Sequence, residues 1–272
     1  MDYQTYITQS EYEQIINTIS VNRGYDFSTA AATSLKFRFE RACFNYGFQS
    51  FKELITKISR DDVFMDSFIN DISIRSTEFF RDPLMWNELS NKILPKYKSK
   101  TDLKIWMPEV CGDEELFTLL IVLDRAGIIQ KTEIYATSAF QKNINEIKSG
   151  LLENRKMEIN LANTARYDDN INLSHYTTQQ GKFIYFSALL IEKVFFLQHN
   201  ILTQAPPDND FDFIIYRNRL LSFNQPTKNL LIELLKKSLS NDGYLIIGTG
   251  ESIENKNNLK EVSKTENIFK RV

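Results

Sequence analysis

The residues with the clearest chemical potential follow an apolar run, Leu103–Val110, whose residue types favour a β-strand. A short loop follows this run and leads into the acidic helix start Asp113, Glu114 and Glu115. This order is typical of the first strand-loop-helix unit of a nucleotide-binding fold. Such loops normally carry several glycines, because a ligand approaches their backbone closely, but here Gly112 is the only one. The pattern therefore predicts the scaffold of a cofactor site with an unusual loop.

Patterns for several other chemistries are absent. The histidines are His175 and His199, and the cysteines are Cys43 and Cys111. Neither pair has a metal-ligand spacing, so we expect no metal site. No sharp-turn motif sets a nucleophilic serine or cysteine beside a histidine. The widely separated cysteines indicate a reducing compartment rather than a disulfide framework.

Composition and charge are those of an ordinary globular chain. The 272 residues are 42% hydrophobic and 25% charged, enough to bury a substantial core. The net charge of -2 and the pI near 5.9 give no overall field that attracts nucleic acid or an anionic membrane. No apolar run is long enough to cross a membrane, and the polar N-terminus is unlike a signal peptide. We expect a cytoplasmic protein that binds no nucleic acid and does not insert into a membrane.

The elements that must position the acidic loop change character along the chain. Residues 1–75 contain no proline and place apolar residues at helical spacing, which predicts a small all-helical domain. Residues 76–272 are expected to form the second domain, in which strand-like runs alternate with helical stretches. This alternation predicts a mainly parallel sheet covered on both faces. The strand-like runs are Leu103–Val110, Thr132–Thr137, Val194–His199, Phe211–Tyr216 and Gly243–Thr249, and Ile268–Val272 is a candidate for a final edge strand.

Two further segments interrupt this alternation. Residues 75–83 resemble a hinge in which Asp82 and Pro83 predict the N-cap and first turn of a helix, and Phe79 and Phe80 are expected to be buried. The strand-like runs at 183–187 and 193–198 predict a small antiparallel insertion at about 151–192. Such an insertion serves either as a recognition element or as cover for the sheet edge, and the sequence leaves both roles open.

Four short motifs follow one another along the chain: Ser76–Pro83 (STEFFRDP), His199–Leu202 (HNIL), Phe211–Phe223 (FDFIIYRNRLLSF) and Gly248–Ser252 (GTGES). In this order they resemble the T-x-FFR-(D/E) motif, the HNL element, the segment FDLIFCRNVLIYF and the G-x-x-ES turn of the CheR family, whose members methylate glutamates of chemotaxis receptors. Each motif alone is weak, but four in the correct order are specific, and the resemblance covers almost the whole chain.

This resemblance implies a fold of the α/β class, a Rossmann-like S-adenosylmethionine methyltransferase domain with a small β-subdomain insertion, preceded by an all-helical domain. It implies S-adenosyl-L-methionine as the cofactor and a chemoreceptor or another signalling protein as the partner. Arg81 becomes the candidate catalytic residue, since its guanidinium would hold the cofactor's carboxylate through two parallel bonds. The cofactor-binding residues that the resemblance implies are Thr77, Arg81, Glu114, Glu115, Asn200, Ile201, Arg217 and Asn218.

The cofactor loop departs from the family pattern. Where the family reads approximately A-G-C-S-T-G-E-E, Pro108–Glu115 reads PEVCGDEE, so Glu109 and Asp113 stand at the two glycine positions. A side chain and a negative charge at the first position would oppose the cofactor's carboxylate, unless Arg75 pairs with one of these acids and fills the cavity. Ser138 stands in place of the acid that would bind the ribose, and losing such a charged hydrogen bond costs about 1.5 to 3 kcal/mol.

Two hypotheses follow from these departures. In the first, the chain is a CheR-type methyltransferase for protein glutamate side chains with an atypical cofactor site. In the second, it is a catalytically inactive CheR-like module that binds a partner and no longer binds S-adenosylmethionine. The lost glycines and the lost ribose acid all weaken affinity for the same ligand, which favours the second hypothesis slightly.

Overall fold

A computed structural model describes residues 6–27, 32–72, 78–110, 113–153 and 156–272. The chain divides into two units, one made of Met1–Ile74 and Arg219–Leu230 and the other of Arg75–Asn218 and Leu231–Val272. The first unit therefore includes a segment from far along the sequence in addition to the N-terminal residues. In the described ranges no helix has both the length and the apolar character that crossing a membrane requires.

The first unit is helical, as the spacing of its apolar residues predicts. Its described helices are α1 (Gln9–Arg23), α2 (Ala32–Asn45), α3 (Phe51–Arg60) and α4 (Asp62–Ile72). A capping box starts α1, because Thr8 Oγ1 accepts from Glu11 N and a Glu11 carboxylate oxygen accepts from Thr8 N at 2.9 Å. In the core, the fully buried rings of Phe39 and Phe68 join α2 to α4 with their centroids 5.6 Å apart.

The distant segment Arg219–Leu230 packs on the loop that ends α1. Rings of Tyr25 and Phe223 lie 4.7 Å apart, and Asn224 N donates to the Gly24 carbonyl at 2.8 Å. Gly24 has φ +68°, and a Cβ there would lie 2.0 Å from Thr227 Oγ1. Only glycine meets both the backbone conformation and the close approach.

Most strands of the second unit correspond to the strand-like runs predicted from the sequence. The described strands are β1 (Leu103–Met107), β2 (Thr132–Ser138), β3 (Leu151–Leu152), β4 (Thr177–Gln180), β5 (Phe183–Phe186), β6 (Val194–Gln198), β7 (Phe211–Tyr216), β8 (Leu239–Ile247), β9 (Leu259–Ser263) and β10 (Ile268–Arg271). In the described part, seven of them form the main sheet in the order β6-β2-β1-β7-β8-β10-β9. The strands from β6 to β8 are parallel, and β10 is antiparallel to both of its neighbours. This mixed sheet confirms the expected Rossmann-like α/β fold.

Helices connect and cover these strands. They are α5 (Pro83–Glu88), α6 (Asp113–Arg125), α7 (Gln141–Ser149), α8 (Met157–Tyr167), α9 (Ala188–Ile191) and α10 (Gln225–Ser238). Every residue of the central strand β7 is buried, which explains its nearly continuous apolar sequence. Its one acid, Asp212, is satisfied by Lys100 Nζ at 2.6 Å and by Lys104 N at 3.0 Å.

The insertion forms a separate small sheet with the order β3-β5-β4, all antiparallel. The predicted run at 183–187 corresponds to β5. The run at 193–198 is β6, which pairs in parallel with β2, so its assignment to the main sheet is confirmed and its assignment to the antiparallel insertion is wrong. The polar stretch before β4 contains α8, which the sequence did not indicate. Its buried Asn160 is satisfied, since Oδ1 accepts from Phe79 N at 3.0 Å.

The C-terminal strands differ from the prediction in their order in the sheet. The predicted edge strand, at 268–272, is β10, but it lies inside the sheet between β8 and β9. The edge is β9, in a tail that reads as polar. Only Leu259 of this strand is buried, because an edge strand covers little of the core.

Candidate active site at the ends of β1 and β7

The carboxyl ends of β1 and β7 form the centre of the candidate site. From β1 the chain passes through α6 to β2 on one side, whereas β7 lies on the other side of β1. In open α/β sheets, ligands bind outside the carboxyl ends of the strands where the order reverses in this way. The residues that follow these two strands, among them Glu109 and Arg217, therefore line the position at which a ligand is expected.

Arg217 is the buried cation of this site. Its Nη1 donates to Glu115 Oε1 at 2.6 Å, and its Nη2 contacts the Asp82 carboxylate and the Arg81 carbonyl. The guanidinium carbon lies 5.9 Å from the centroid of the Trp86 ring. The side chain is fully buried, and within the described ranges its Nε has no hydrogen-bond partner. Two acids around one guanidinium leave a net negative charge at this edge of the sheet.

Asp82 has a different role from the predicted one. It occupies the N-cap position of α5, as predicted, but it takes φ +56° and makes no side-chain cap bond. The carboxylate pairs with Arg217 instead, and this ionic contact replaces the cap. Pro83 does lie in the first turn of α5, as expected.

The backbone around Arg81 is fixed by buried neighbours. Phe79 and Phe80 are fully buried, as predicted, and Phe80 N donates to Thr118 Oγ1 of α6 at 3.0 Å. The Arg81 carbonyl accepts from Trp86 Nε1 at 3.1 Å. Arg81 itself is half-buried and stands directly beside the Arg217 cluster. Thr77, the neighbouring predicted residue, lies outside the described residues.

Two of the acids that start α6, Glu114 and Glu115, contact different cations. Glu114 is buried, and its Oε1 lies 3.0 Å from Lys156 Nζ, next to α8. Glu115 contacts Arg217 and is the acid that belongs to the strand-end cluster. Both also gain about 0.3 to 1 kcal/mol from the helix dipole. The structure therefore brings Glu115 together with Arg217, which also contacts the backbone carbonyl of Arg81, and it pairs Glu114 with Lys156.

Glu109 combines a left-handed backbone with a bond across the strand ends. Its φ is +51°, a conformation that costs a residue with a Cβ about 1–2 kcal/mol and that glycine adopts freely. Tyr216, the last residue of β7, donates its hydroxyl to Glu109 Oε2 at 2.7 Å. Since Glu109 follows β1, this bond links the carboxyl ends of β1 and β7. The pairing considered for Arg75 with Glu109 or Asp113 involves side chains outside the described part.

Asn200 and Ile201 lie beyond the end of β6. Asn200 Oδ1 accepts from Leu202 N at 2.9 Å, which closes a turn, and Ile201 is buried. His199 N continues the ladder to β2 by donating to the Ser138 carbonyl at 2.8 Å. Among the described residues, no hydrogen bond connects Asn200 or Ile201 directly to Arg217. The ends of β6 and β7 are three strand spacings apart, about 14 Å, so these residues form a second side of the site.

The β2 end carries no acid, as the sequence already shows. Ser138 is buried, and its Oγ accepts from Phe140 N at 3.3 Å and from Asn143 Nδ2 at 3.2 Å. The hydroxyl oxygen is therefore used to fix the start of α7. His199 Nε2 donates to the Ala205 carbonyl at 2.8 Å, and among the described residues its buried Nδ1 has no partner.

Asn218, which follows Arg217 at the end of β7, contacts Glu251, a residue that was not predicted as part of the site. It takes φ +59°, and its N–H donates to Glu251 Oε2 at 3.0 Å. Glu251 lies in the Gly248–Ser252 motif, so the sequence contained its position but not its contact. Lys156, Tyr216 and Asp82 were likewise missed as contacts, because each pairs with a residue far away along the chain.

This chain is similar to known methyltransferases. Residues 75–269 match the family model described as CheR methyltransferase, SAM binding domain, and residues 10–73 match CheR methyltransferase, all-alpha domain. A chemotaxis protein methyltransferase of Borreliella burgdorferi is 26% identical over 94% of this chain and 93% of its own length. That of Listeria monocytogenes is 24% identical over 91% and 92%. Among solved structures, the plantazolicin methyltransferase BpumL covers 88% of this chain and 59% of its own, with 15% identity and a TM-score of 0.37.

The polar groups at the strand ends fit the cofactor of the matched domain. S-adenosylmethionine carries a sulfonium, an ammonium and a carboxylate at one end and an adenosine at the other. The net negative cluster around Arg217 suits the two cationic groups. Two buried nitrogens, Arg217 Nε and His199 Nδ1, have no hydrogen-bond partner in the described part of the chain. Arg217 directly follows β7 and His199 directly follows β6, and these positions suit an elongated ligand that lies along this edge of the sheet.

Proposed function

We propose, from the premise that this chain belongs to the CheR methyltransferase family, that it methylates glutamate side chains of a chemoreceptor or another signalling protein in the cytoplasm. The family follows from the two matched domains, at 10–73 and 75–269. S-adenosyl-L-methionine is the cofactor of the second domain. The names of the relatives support a chemotaxis substrate.

One observation carries the proposal for the site: the buried guanidinium of Arg217 at the end of β7. Its contacts with Glu115 and Asp82 hold it rigidly, and its buried Nε has no hydrogen-bond partner among the described groups. An arginine held by fixed acids keeps one orientation while a ligand binds, so little reorganisation is needed. We assign the ends of β1 and β7 to the methyl-transfer step for this reason.

The remaining roles follow from the chemistry of the residues. The bound cofactor supplies an electrophilic methyl group. Arg81 and Thr77 would hold its amino-acid end with Glu115, while Asn200 and Ile201 would contact the adenosine. Glu114 supports this end indirectly, through its pair with Lys156. Arg217 and Asn218 orient the two reactants, and orientation is the main requirement, because a carboxylate is already a nucleophile without a general base.

The atypical part of the proposal concerns Glu109. Its left-handed φ and its bond to Tyr216 support the view that an acid stands where backbone alone would otherwise meet the cofactor. We infer that this acid weakens cofactor binding without abolishing it. The second candidate function, an inactive partner-binding module, is favoured by the same bond, because Tyr216 and Glu109 tie the two strand ends together.

A methyl-transfer assay separates the two functions. The protein is incubated with S-adenosylmethionine labelled in the methyl group and with the cytoplasmic domain of a chemoreceptor from the same organism. Transfer to glutamate gives a methyl ester, so alkali should release labelled methanol, and a receptor with glutamine at the acceptor positions should release none. Label that is not released by alkali, or no label at all, would contradict the proposal.

An arginine substitution tests the assigned roles in the same assay. Arg81→Lys keeps the charge but loses the paired bonds, so we expect about 10- to 100-fold weaker cofactor binding. The matched control is Arg60→Lys on the exposed face of α3, which should bind as the wild type does. Equal affinity of the two variants would exclude Arg81 from the cofactor site.

A further inference from the structure

Glu251, in the loop after β8, is a buried carboxylate that touches both strand ends of the site. It is 5% exposed, and its Oε2 accepts from Gly248 N at 2.6 Å and from Asn218 N at 3.0 Å. The pairing of β7 with β8 ends at Tyr216 and Ile247. The two amides therefore lie just beyond the last paired residues, and the carboxylate bridges the strands where the ladder stops.

Gly248 allows this close contact. A Cβ at this position would lie 2.6 Å from Asn218 Oδ1, 2.9 Å from Asn218 N and 2.9 Å from Glu251 Oε2. These distances are shorter than van der Waals contact, so no side chain fits there. The glycine, the asparagine and the carboxylate therefore form one tightly packed group.

Asn267 fixes the same loop from its other side. Its Nδ2 donates to the carbonyls of Gly248 and Glu251, each at 2.8 Å. Its own carbonyl accepts from Ile247 N at 3.2 Å. Because the loop backbone is held by these bonds, the Glu251 carboxylate presents its oxygen in one place.

We propose that Glu251 is a positioning residue for the methyl-transfer site, an inference that rests on the proposed function. The Asn218 N–H belongs to the peptide unit that begins at the Arg217 carbonyl, so the bond to Glu251 sets the orientation of that peptide. Arg217 then meets Glu115 and Asp82 from a fixed backbone. Catalytic geometry is sensitive to such placement, since a shift of about 1 Å can reduce a rate by roughly 100-fold.

The test compares Glu251→Ala and Glu251→Gln with the control Glu254→Gln, which changes an exposed acid in the same segment. Amide hydrogen exchange at Asn218 and Gly248 is measured on the chain without ligand. Affinity for S-adenosylhomocysteine is measured by calorimetry, and kcat and KM are measured with the receptor domain. Thermal unfolding of each variant shows that the protein used in these assays is folded.

For Glu251→Ala, we expect exchange at both amides to rise about 10- to 100-fold, since a hydrogen bond to a charged group is lost. We also expect affinity for S-adenosylhomocysteine to weaken and kcat to fall by at least about 10-fold, with a smaller change in the KM for the receptor domain, because the cofactor site rather than receptor binding is affected. Glu251→Gln keeps an acceptor oxygen and should recover most of these properties, and Glu254→Gln should match the wild type.

Two results would overturn the positioning role. One is unchanged exchange at Asn218 in a folded Glu251→Ala variant, and the other is raised exchange with wild-type kcat. If the wild type transfers no methyl group, the proposed function fails. In that case exchange at Asn218 together with affinity for S-adenosylhomocysteine decides the role of Glu251: raised exchange with weakened affinity supports it, and any other combination refutes it.

Discussion

The substitution Glu109→Gly makes the most discriminating change in the cofactor loop. It relieves a left-handed φ of +51°, worth about 1–2 kcal/mol. It also removes the acceptor of the Tyr216 hydroxyl bond, a loss of about 1.5 to 3 kcal/mol, and adds unfolded-state entropy worth about 0.5–1 kcal/mol. The sum is a net loss of folding stability of roughly 1.5 kcal/mol.

Cofactor affinity should change in the opposite direction. At an effective dielectric constant of about 20, a cofactor carboxylate placed on the order of 8 Å from the Glu109 carboxylate would be repelled by roughly 2 kcal/mol, or about 30-fold in affinity. Removing the Glu109 carboxylate should therefore strengthen binding of S-adenosylhomocysteine by about 10- to 30-fold, although the fold itself becomes slightly less stable. A gain in affinity with a loss in stability is not expected from any general effect on folding.

Calorimetric titration with S-adenosylhomocysteine and urea unfolding measure the two effects on the same preparations. Glu109→Gln is the matched variant, because it keeps the side-chain size and an acceptor for Tyr216 but removes the charge. If repulsion dominates, Gln and Gly should strengthen binding equally, and if side-chain volume dominates, only Gly should. Affinity for Glu109→Gly that equals or falls below that of the wild type would refute the reasoning.

Three other outcomes are expected. Arg217→Ala removes the cation between Asp82 and Glu115, so the free energy of unfolding in urea should fall by about 3 to 5 kcal/mol. A loss no larger than that of the control variant Arg60→Ala, which changes an exposed arginine, would contradict this. Gly248→Ala should cost about 1 to 3 kcal/mol, whereas Gly250→Ala, whose Cβ would meet no atom within 4 Å, should cost little; equal melting temperatures would contradict the packing argument. Burial raises the pKa of the Cys43 thiol to about 11. In a Cys111→Ser variant, iodoacetamide should therefore react slowly with Cys43 at neutral pH and faster as the pH rises and the thiolate forms. Rapid labelling of Cys43 at neutral pH in the folded protein would contradict this.

The centre of the main sheet could be predicted because β1 and β7 are largely buried. The runs that became these two strands are apolar apart from Lys104 and Asp212, and the alternation of strand-like runs with helices specifies a parallel arrangement. The edge strand β9 and helix α8 were missed for the opposite reason. Their sequences are polar, and buried groups such as Asn160 are satisfied by hydrogen bonds to distant residues that no local pattern reveals.

The site was predictable as a set of positions, but its contacts were not. Arg81, Glu115 and Arg217 were indicated by motifs, and the structure brings them together. The partner acid Asp82 was assigned to a helix cap, because a local rule explains an aspartate before a proline. Its ionic contact with Arg217 joins residues far apart in sequence, and only the packing of α5 against the strand ends creates it.

The most direct test of the central claim is calorimetric titration of the wild-type chain with S-adenosylhomocysteine. The proposed methyltransferase, with its weakened but functional cofactor site, should bind with a Kd tighter than about 100 μM, equivalent to roughly 5.5 kcal/mol. The absence of binding at millimolar ligand, in protein shown to be folded, would contradict it and would support the partner-binding module instead.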